Sequence, residues 1–169
     1  GILVTIAFPD EEANGVAFTG NPRDAFDRRY LITAPSGEAS VVSPAPGEVP
    51  ERIRVGVLEG RTVAIDRVLR SSLVEDGEVV LTDRHVRELT DAMSYVDAHI
   101  ELPLEAHGRD DVLLDFEFKL DEGAIAIKQV RPFLLPESRP PAPTFSFAVP
   151  AELTACGVFP VDRPGRLPR

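Results

Sequence analysis

Four polar side chains in the C-terminal half, Asp115, Glu117, Gln129 and Arg131, are of the types that handle a phosphoryl group, provided that they meet. A hard cation such as Mg²⁺ takes oxygen ligands, typically one or two protein carboxylates together with oxygens of a polyphosphate. A guanidinium holds a phosphoryl group through paired hydrogen bonds, and phosphoryl transfer asks little more of a protein than such positioning and charge. Whether the four meet is a question of strand register. In LLDFEFKLDEGAIAIKQVRP, residues 113–132, Leu114, Phe116, Phe118 and Leu120 alternate with Asp115, Glu117 and Lys119. That is the period-two pattern of a strand with one buried and one polar face.

A second strand is expected from Ala124 to Val130, joined to the first by Asp121-Glu122-Gly123 as a three-residue loop with glycine in the left-handed position. Pairing Leu120 with Ala124 then sets Asp115 opposite Gln129, Glu117 opposite Ile127 and Arg131 opposite Leu113, so the odd-numbered side chains of both strands share a face. Directly opposed Cβ atoms lie roughly 5 Å apart and diagonal ones roughly 7 to 8 Å. Glu117 and Gln129 could thus reach a common ion with Arg131 beside it. A two-residue loop is expected to turn Gln129 and Arg131 to the apolar face, where their burial is unfavourable. The alternative for the whole hairpin is an edge whose polar face is merely hydrated.

The elements that must position this hairpin can be read in the same way. With 169 residues and 43% apolar side chains, the chain suits one domain with a sizeable core. A net charge of −10 argues against a nucleic-acid surface, yet is compatible with ATP where metal ions and a few local cations screen the phosphates. The single cysteine, Cys156, excludes an internal disulfide and a Cys-based zinc site, which fits the cytoplasm. No signal peptide and no apolar run of about 18 residues is found, so neither secretion nor a membrane span is expected.

Ile2 to Phe8 reads as a strand already under way, as expected of a piece of a longer polypeptide. Asn14-Gly15 is expected to turn the chain into a short strand, Val16 to Thr19, ended by Gly20-Asn21-Pro22. Residues 23–29 read as a charged loop and Tyr30 to Thr33 as a strand. Pro35-Ser36-Gly37-Glu38 is either a plain turn or a backbone cradle for an anion. Ile53, Val55 and Val57 alternate with Arg52, Arg54 and Gly56, and Glu59-Gly60-Arg61 leads into Thr62 to Ile65, a second hairpin. One helix stands out, with Thr82 as N-cap, an apolar stripe of Val86, Leu89, Met93, Val96 and Ile100, and Pro103 as its stop. Arg84, Arg87, Glu88, Asp91 and Asp97 should face water. His85, His99 and His107 show no metal-ligand spacing and are read as solvated. Nine of the 16 prolines lie at or beyond Pro132, so residues 136–169 read as a Pro-rich linker with a possible strand at 145–149.

Taken together, these segments resemble a known family. Asn14-Gly15-Val16-Ala17-Phe18-Thr19-Gly20-Asn21-Pro22 is similar to its Ser/Asn-Gly-Val-x-Phe-Thr-x-Asn/Asp-Pro segment. Asp115-Phe116-Glu117 followed by Gln129-Val130-Arg131-Pro132 resembles its Asp-x-Glu and Gln-x-Arg-Pro close. The family is the pyruvate/phosphoenolpyruvate-binding nucleotide domain of phosphoenolpyruvate synthases and pyruvate phosphate dikinases, and residues 1 to about 135 are covered. The resemblance implies an α+β, mostly antiparallel fold with one long packed helix, the second lobe of an ATP-grasp-like domain that holds ATP between two lobes. It implies that Glu117 and Gln129 hold Mg²⁺ at the nucleotide phosphates, that Asp115 supports the metal from alongside, and that Arg131 steadies the phosphoryl group leaving ATP.

The implied partners are ATP, a first lobe outside this chain, and a swivelling domain whose histidine accepts the phosphoryl group. No carrier motif surrounds His85, His99 or His107, and the family's Gly-Leu-Gly-Glu segment is replaced by Pro35-Ser36-Gly37-Glu38. Two readings follow. The chain is part of an ATP-dependent dikinase, inactive in isolation, or it is a non-catalytic descendant that binds nucleotide or a partner.

Overall fold

A computed structural model of the chain describes residues 11–24, 26–41, 43–101 and 112–135. The expected segments at 2–8 and 145–149, His107, Cys156 and the Pro-rich tail lie outside the described residues. Six strands are present: β1 (Ala13–Phe18), β2 (Tyr30–Ala34), β3 (Glu51–Leu58), β4 (Arg61–Leu69), β5 (Val112–Asp121) and β6 (Ala124–Leu134), with one helix, α1 (Asp83–His99), between β4 and β5. The strands form one sheet in the order β4-β3-β2-β1-β5-β6, every neighbouring pair antiparallel. The fold is α+β, a mostly antiparallel sheet with a single packed helix.

Alternation decides which face of the sheet the helix covers. Ala13, Ala17, Ile32, Ala34, Ile53, Val55, Leu114, Phe116, Phe118 and Leu120 are buried on one side, and Val86, Leu89 and Met93 of α1 close over them. Val96 and Ile100 complete the stripe as partly buried neighbours. Helix entry is fixed locally: Thr82 accepts from His85 N–H at 3.3 Å, and the His85 ring nitrogen accepts from Thr82 N–H at 3.4 Å. His85 is therefore buried, a capping residue and not a solvated one, because the reciprocal cap turns its ring inward. The helix ends at His99, with the Ile100 N–H donating to Val96 O at 2.8 Å, and the expected stop at Pro103 lies outside the described residues. Its expected polar side, Arg84, Arg87, Glu88, Asp91 and Asp97, is exposed.

Asn14 and Gly15 do not form a turn; they lie inside β1. The reason is packing. Gly15 pairs with Phe118, and a Cβ at Gly15 would fall 2.3 Å from the Phe118 ring and 2.7 Å from the Thr33 carbonyl oxygen. Glycine is here a gap into which an aromatic ring fits, and Asn14 uses its amide to donate to Gly37 O at 2.7 Å and Ala39 O at 3.1 Å. Those bonds tie the β2–β3 connection to β1. The Gly37 N–H donates to Glu12 O at 2.8 Å, so in the 35–38 turn this amide is already taken and does not face an anion.

Candidate functional site: the open face of the sheet

The hairpin of β5 and β6 departs from expectation in its turn and agrees in its outcome. Asp121 pairs directly with Ala124, so the loop is two residues long, Glu122 and Gly123, both with positive φ (50° and 70°). This is the left-handed two-residue turn that matches strand twist. Glu122 in that region is unusual, and tertiary contacts hold it: the Gly123 N–H donates to Glu12 Oε1 at 2.8 Å, and Arg84 Nη2 donates to Gly123 O at 2.8 Å. Continued without interruption, such a register would send Gln129 and Arg131 to the helix face. It is interrupted. Between the Phe118↔Ile127 and Glu117↔Gln129 pairs, β6 contributes an extra residue, Lys128, a bulge that shifts the register by one.

Beyond the bulge Glu117 lies opposite Gln129 and Asp115 opposite Arg131, replacing the expected Glu117–Ile127, Asp115–Gln129 and Leu113–Arg131 pairs. All four side chains project from the face that α1 leaves open. Glu117 and Gln129, directly opposed, have Cβ atoms about 5 Å apart.

Arg131 donates from Nε to Asp115 Oδ2 at 2.8 Å, and its Nη2 is ion-paired with the same oxygen at 2.8 Å. Asp115 is 4% exposed, whereas the Arg131 side chain is 58% exposed. The carboxylate is thus sunk in the sheet and the guanidinium lies across its mouth. Asp115 first, and Glu117 at longer range, hold the Arg131 guanidinium above its ordinary basicity. Among the described residues the N–H groups not turned to Asp115 remain for a ligand. The second carboxylate oxygen, Asp115 Oδ1, is buried with no hydrogen-bond partner among the described residues. Glu117 also borders a cleft of about 490 Å³, bounded by Asn14 and Val16 of β1, Lys119 and Lys128 of the hairpin, and residues 38–41. Lys119 is ion-paired with Glu11.

These donors fit Mg²⁺ as a shared ligand and not as a closed cage. Among the described residues no group of three or more His, Cys, Asp or Glu is gathered to hold a metal. One carboxylate, Glu117, and one amide carbonyl, Gln129, face each other across the hairpin. That donor count is typical of a magnesium ion whose remaining ligands are water and polyphosphate oxygens. Asp115 is committed to Arg131 through Oδ2, so the structure casts it as the residue that orients the guanidinium, with Oδ1 alone left over.

Sequence reasoning passed over two further cations on this face. Reading across the strands, Gln129, Glu117, Val16, Thr33 and Arg52 form one transverse row, and Arg131, Asp115, Phe18, Leu31 and Arg54 form the next. Arg52 and Arg54 could have been assigned to the face away from Ile53 and Val55 by alternation. Only the strand order shows that it is the same face as Glu117.

Neither the family models nor the curated proteins compared with the chain give a match. Among the described residues no helix is long and apolar enough to cross a membrane.

Proposed function

We propose that residues 1–135 form the phosphate-handling lobe of an ATP- and Mg²⁺-dependent phosphotransferase of the phosphoenolpyruvate synthase and pyruvate phosphate dikinase type, the second lobe of an ATP-grasp-like domain. The observation that carries this reading is the bulged register, which sets Glu117 against Gln129 and Asp115 against Arg131 on one open face. In this reading Glu117 and Gln129 hold the metal through oxygen, and Arg131, braced by Asp115, presents its remaining N–H groups to the phosphoryl oxygens. Bound Mg²⁺ supplies neutralisation of the phosphate charge. The chain's own residues orient the phosphates and keep a positive fork at the point where negative charge accumulates. A first lobe and a phosphohistidine domain beyond this chain complete the enzyme, ATP is its nucleotide, and the cytoplasm is its compartment.

The test uses the full-length protein. Glu117→Ala should abolish Mg²⁺-dependent ATP consumption while the circular dichroism spectrum and the unfolding midpoint stay unchanged. Full activity in that variant refutes the metal role. Tight MgATP binding without any consumption by the unaltered full-length protein would instead select the non-catalytic reading.

A further inference from the structure

The open face carries a second group of cations, away from the hairpin of β5 and β6. Arg52 and Arg54 stand two residues apart on β3, on the same side of the strand, with Cα atoms about 7 Å apart. Along their shared rows, three strand-to-strand steps of about 4.8 Å separate Arg52 from Glu117 and Arg54 from Asp115, about 14 Å in all. Between the two groups the floor is mostly apolar: Val16 and Phe18 on β1 and Leu31 on β2, with Thr33 beside Leu31 as its one hydroxyl. Arg52, Arg54 and Arg23, with one acid, Asp24, and with Thr33, Phe18 and Leu31, line a cleft of about 420 Å³.

These arginines are incompletely answered. Among the described residues Arg52 and the Arg23 side chain make no hydrogen bond or ion pair. Arg54 Nε is buried without a hydrogen-bond partner. It pairs with Asp27 at 3.5 Å, a carboxylate that also accepts from Arg29 at 2.7 Å on one oxygen and 3.1 Å on the other, and Asp66 stands opposite Arg54 in the β3–β4 register. In a chain of net charge −10, two guanidinium groups with no partner among the described residues, Arg52 and Arg23, and a third held only by the shared Asp27 line one cleft and favour an anion there. The backbone separation of about 14 Å sets Arg52 and Arg54 apart from the group at Glu117 and Arg131.

We propose that Arg52 and Arg54 form a separate oxyanion site for a small organic anion, a carboxylate or phosphate monoester on a flat apolar body that lies against Phe18 and Leu31. Two guanidinium groups from alternate positions of one strand converge on the oxyanion by charge-assisted hydrogen bonds, and the Thr33 hydroxyl lies within the same cleft. The site stands independently of the nucleotide reading.

Phenyl phosphate, benzoate and inorganic phosphate serve as probes, by calorimetry and by the NMR signals of the arginine Nε–H groups in the unaltered chain. Phenyl phosphate or benzoate should bind saturably, more tightly than inorganic phosphate, and shift the Arg52 and Arg54 signals. The preferred probe identifies the head group. The Arg52→Gln/Arg54→Gln double variant, its fold checked by circular dichroism, should lose at least about tenfold in affinity. Glu117→Ala and Arg131→Gln should bind the probe as before, so loss of the nucleotide reading leaves this one standing. The proposal is overturned if neither organic probe saturates, if the double variant binds within twofold of the unaltered chain, or if Arg131→Gln abolishes binding.

Discussion

Removing Arg67 should destabilise the protein far more than neutralising its partner Glu51, although the two form one ion pair. Glu51 is 1% exposed. Its Oε1 accepts from Arg67 Nη1 at 2.7 Å, and its Oε2 accepts from the Leu81 N–H at 3.0 Å. Arg67 is 20% exposed and has a second acid, Asp83, at 2.6 Å. Arg67→Met therefore strands a buried carboxylate, a loss of about 3 kcal/mol, the lower end of the range for a broken buried pair because the Leu81 bond survives. Glu51→Gln keeps an acceptor for Leu81 and leaves Arg67 with Asp83, so its loss is about 1 kcal/mol. With a urea m-value of about 2 kcal/mol per molar, the midpoints should fall by about 1.5 M and about 0.5 M respectively. The double variant leaves no stranded charge and should lose much less than the sum of the two single losses, close to Glu51→Gln alone. Urea titrations followed by circular dichroism decide the matter. Equal midpoints for the two single variants, or strict additivity in the double, would refute the argument from burial.

Three further outcomes follow from the same coordinates. Gly15→Ala would force Cβ against the Phe118 ring and the Thr33 carbonyl, and since the latter is backbone the strand must shift; a loss of about 1–3 kcal/mol is expected in the same titration, and an unchanged midpoint would contradict the packing. Arg131→Lys should greatly reduce ATP consumption by the full-length protein, because an ammonium cannot grip Asp115 and still offer a planar fork; unaltered kinetics would remove Arg131 from the site. The hydrogen bond from Arg29 holds the Asp27 carboxyl below its ordinary 3.8, against the opposing effect of burial. A depressed folded-state value stabilises the protein above the ordinary value, and this contribution disappears as pH falls through the folded one. The difference in urea midpoint between the unaltered chain and Asp27→Asn should accordingly be present at pH 7 and shrink below about pH 4; a difference independent of pH would argue against the Arg29 interaction.

Much of the secondary structure is legible because its signals are local. The helix of residues 83–99 follows from Thr82 and the Val86, Leu89, Met93 stripe, and both hairpins follow from alternation broken by Glu-Gly. Asn14-Gly15 misleads for the same reason. As a dipeptide it spells a turn, and only the ring of Phe118, over a hundred residues away, explains a glycine inside a strand. Glu51 reads as an ordinary polar residue after Pro50, and its burial depends on Arg67 and Leu81 arriving from other elements.

The residue types of the candidate site, two acids, an amide and a guanidinium at strand spacing, are properties of the sequence alone, as is the alternation that separates them from the apolar core. Their meeting is not. A two-residue turn clamped by Glu12 and Arg84 and a bulge at Lys128 together set the register, and each depends on contacts or twist that no local pattern records. Strand order likewise placed Arg52 and Arg54 on the face of Glu117. Side-chain parity along one strand is a short-range property, whereas the pairing of strands is decided by the packing of the whole sheet.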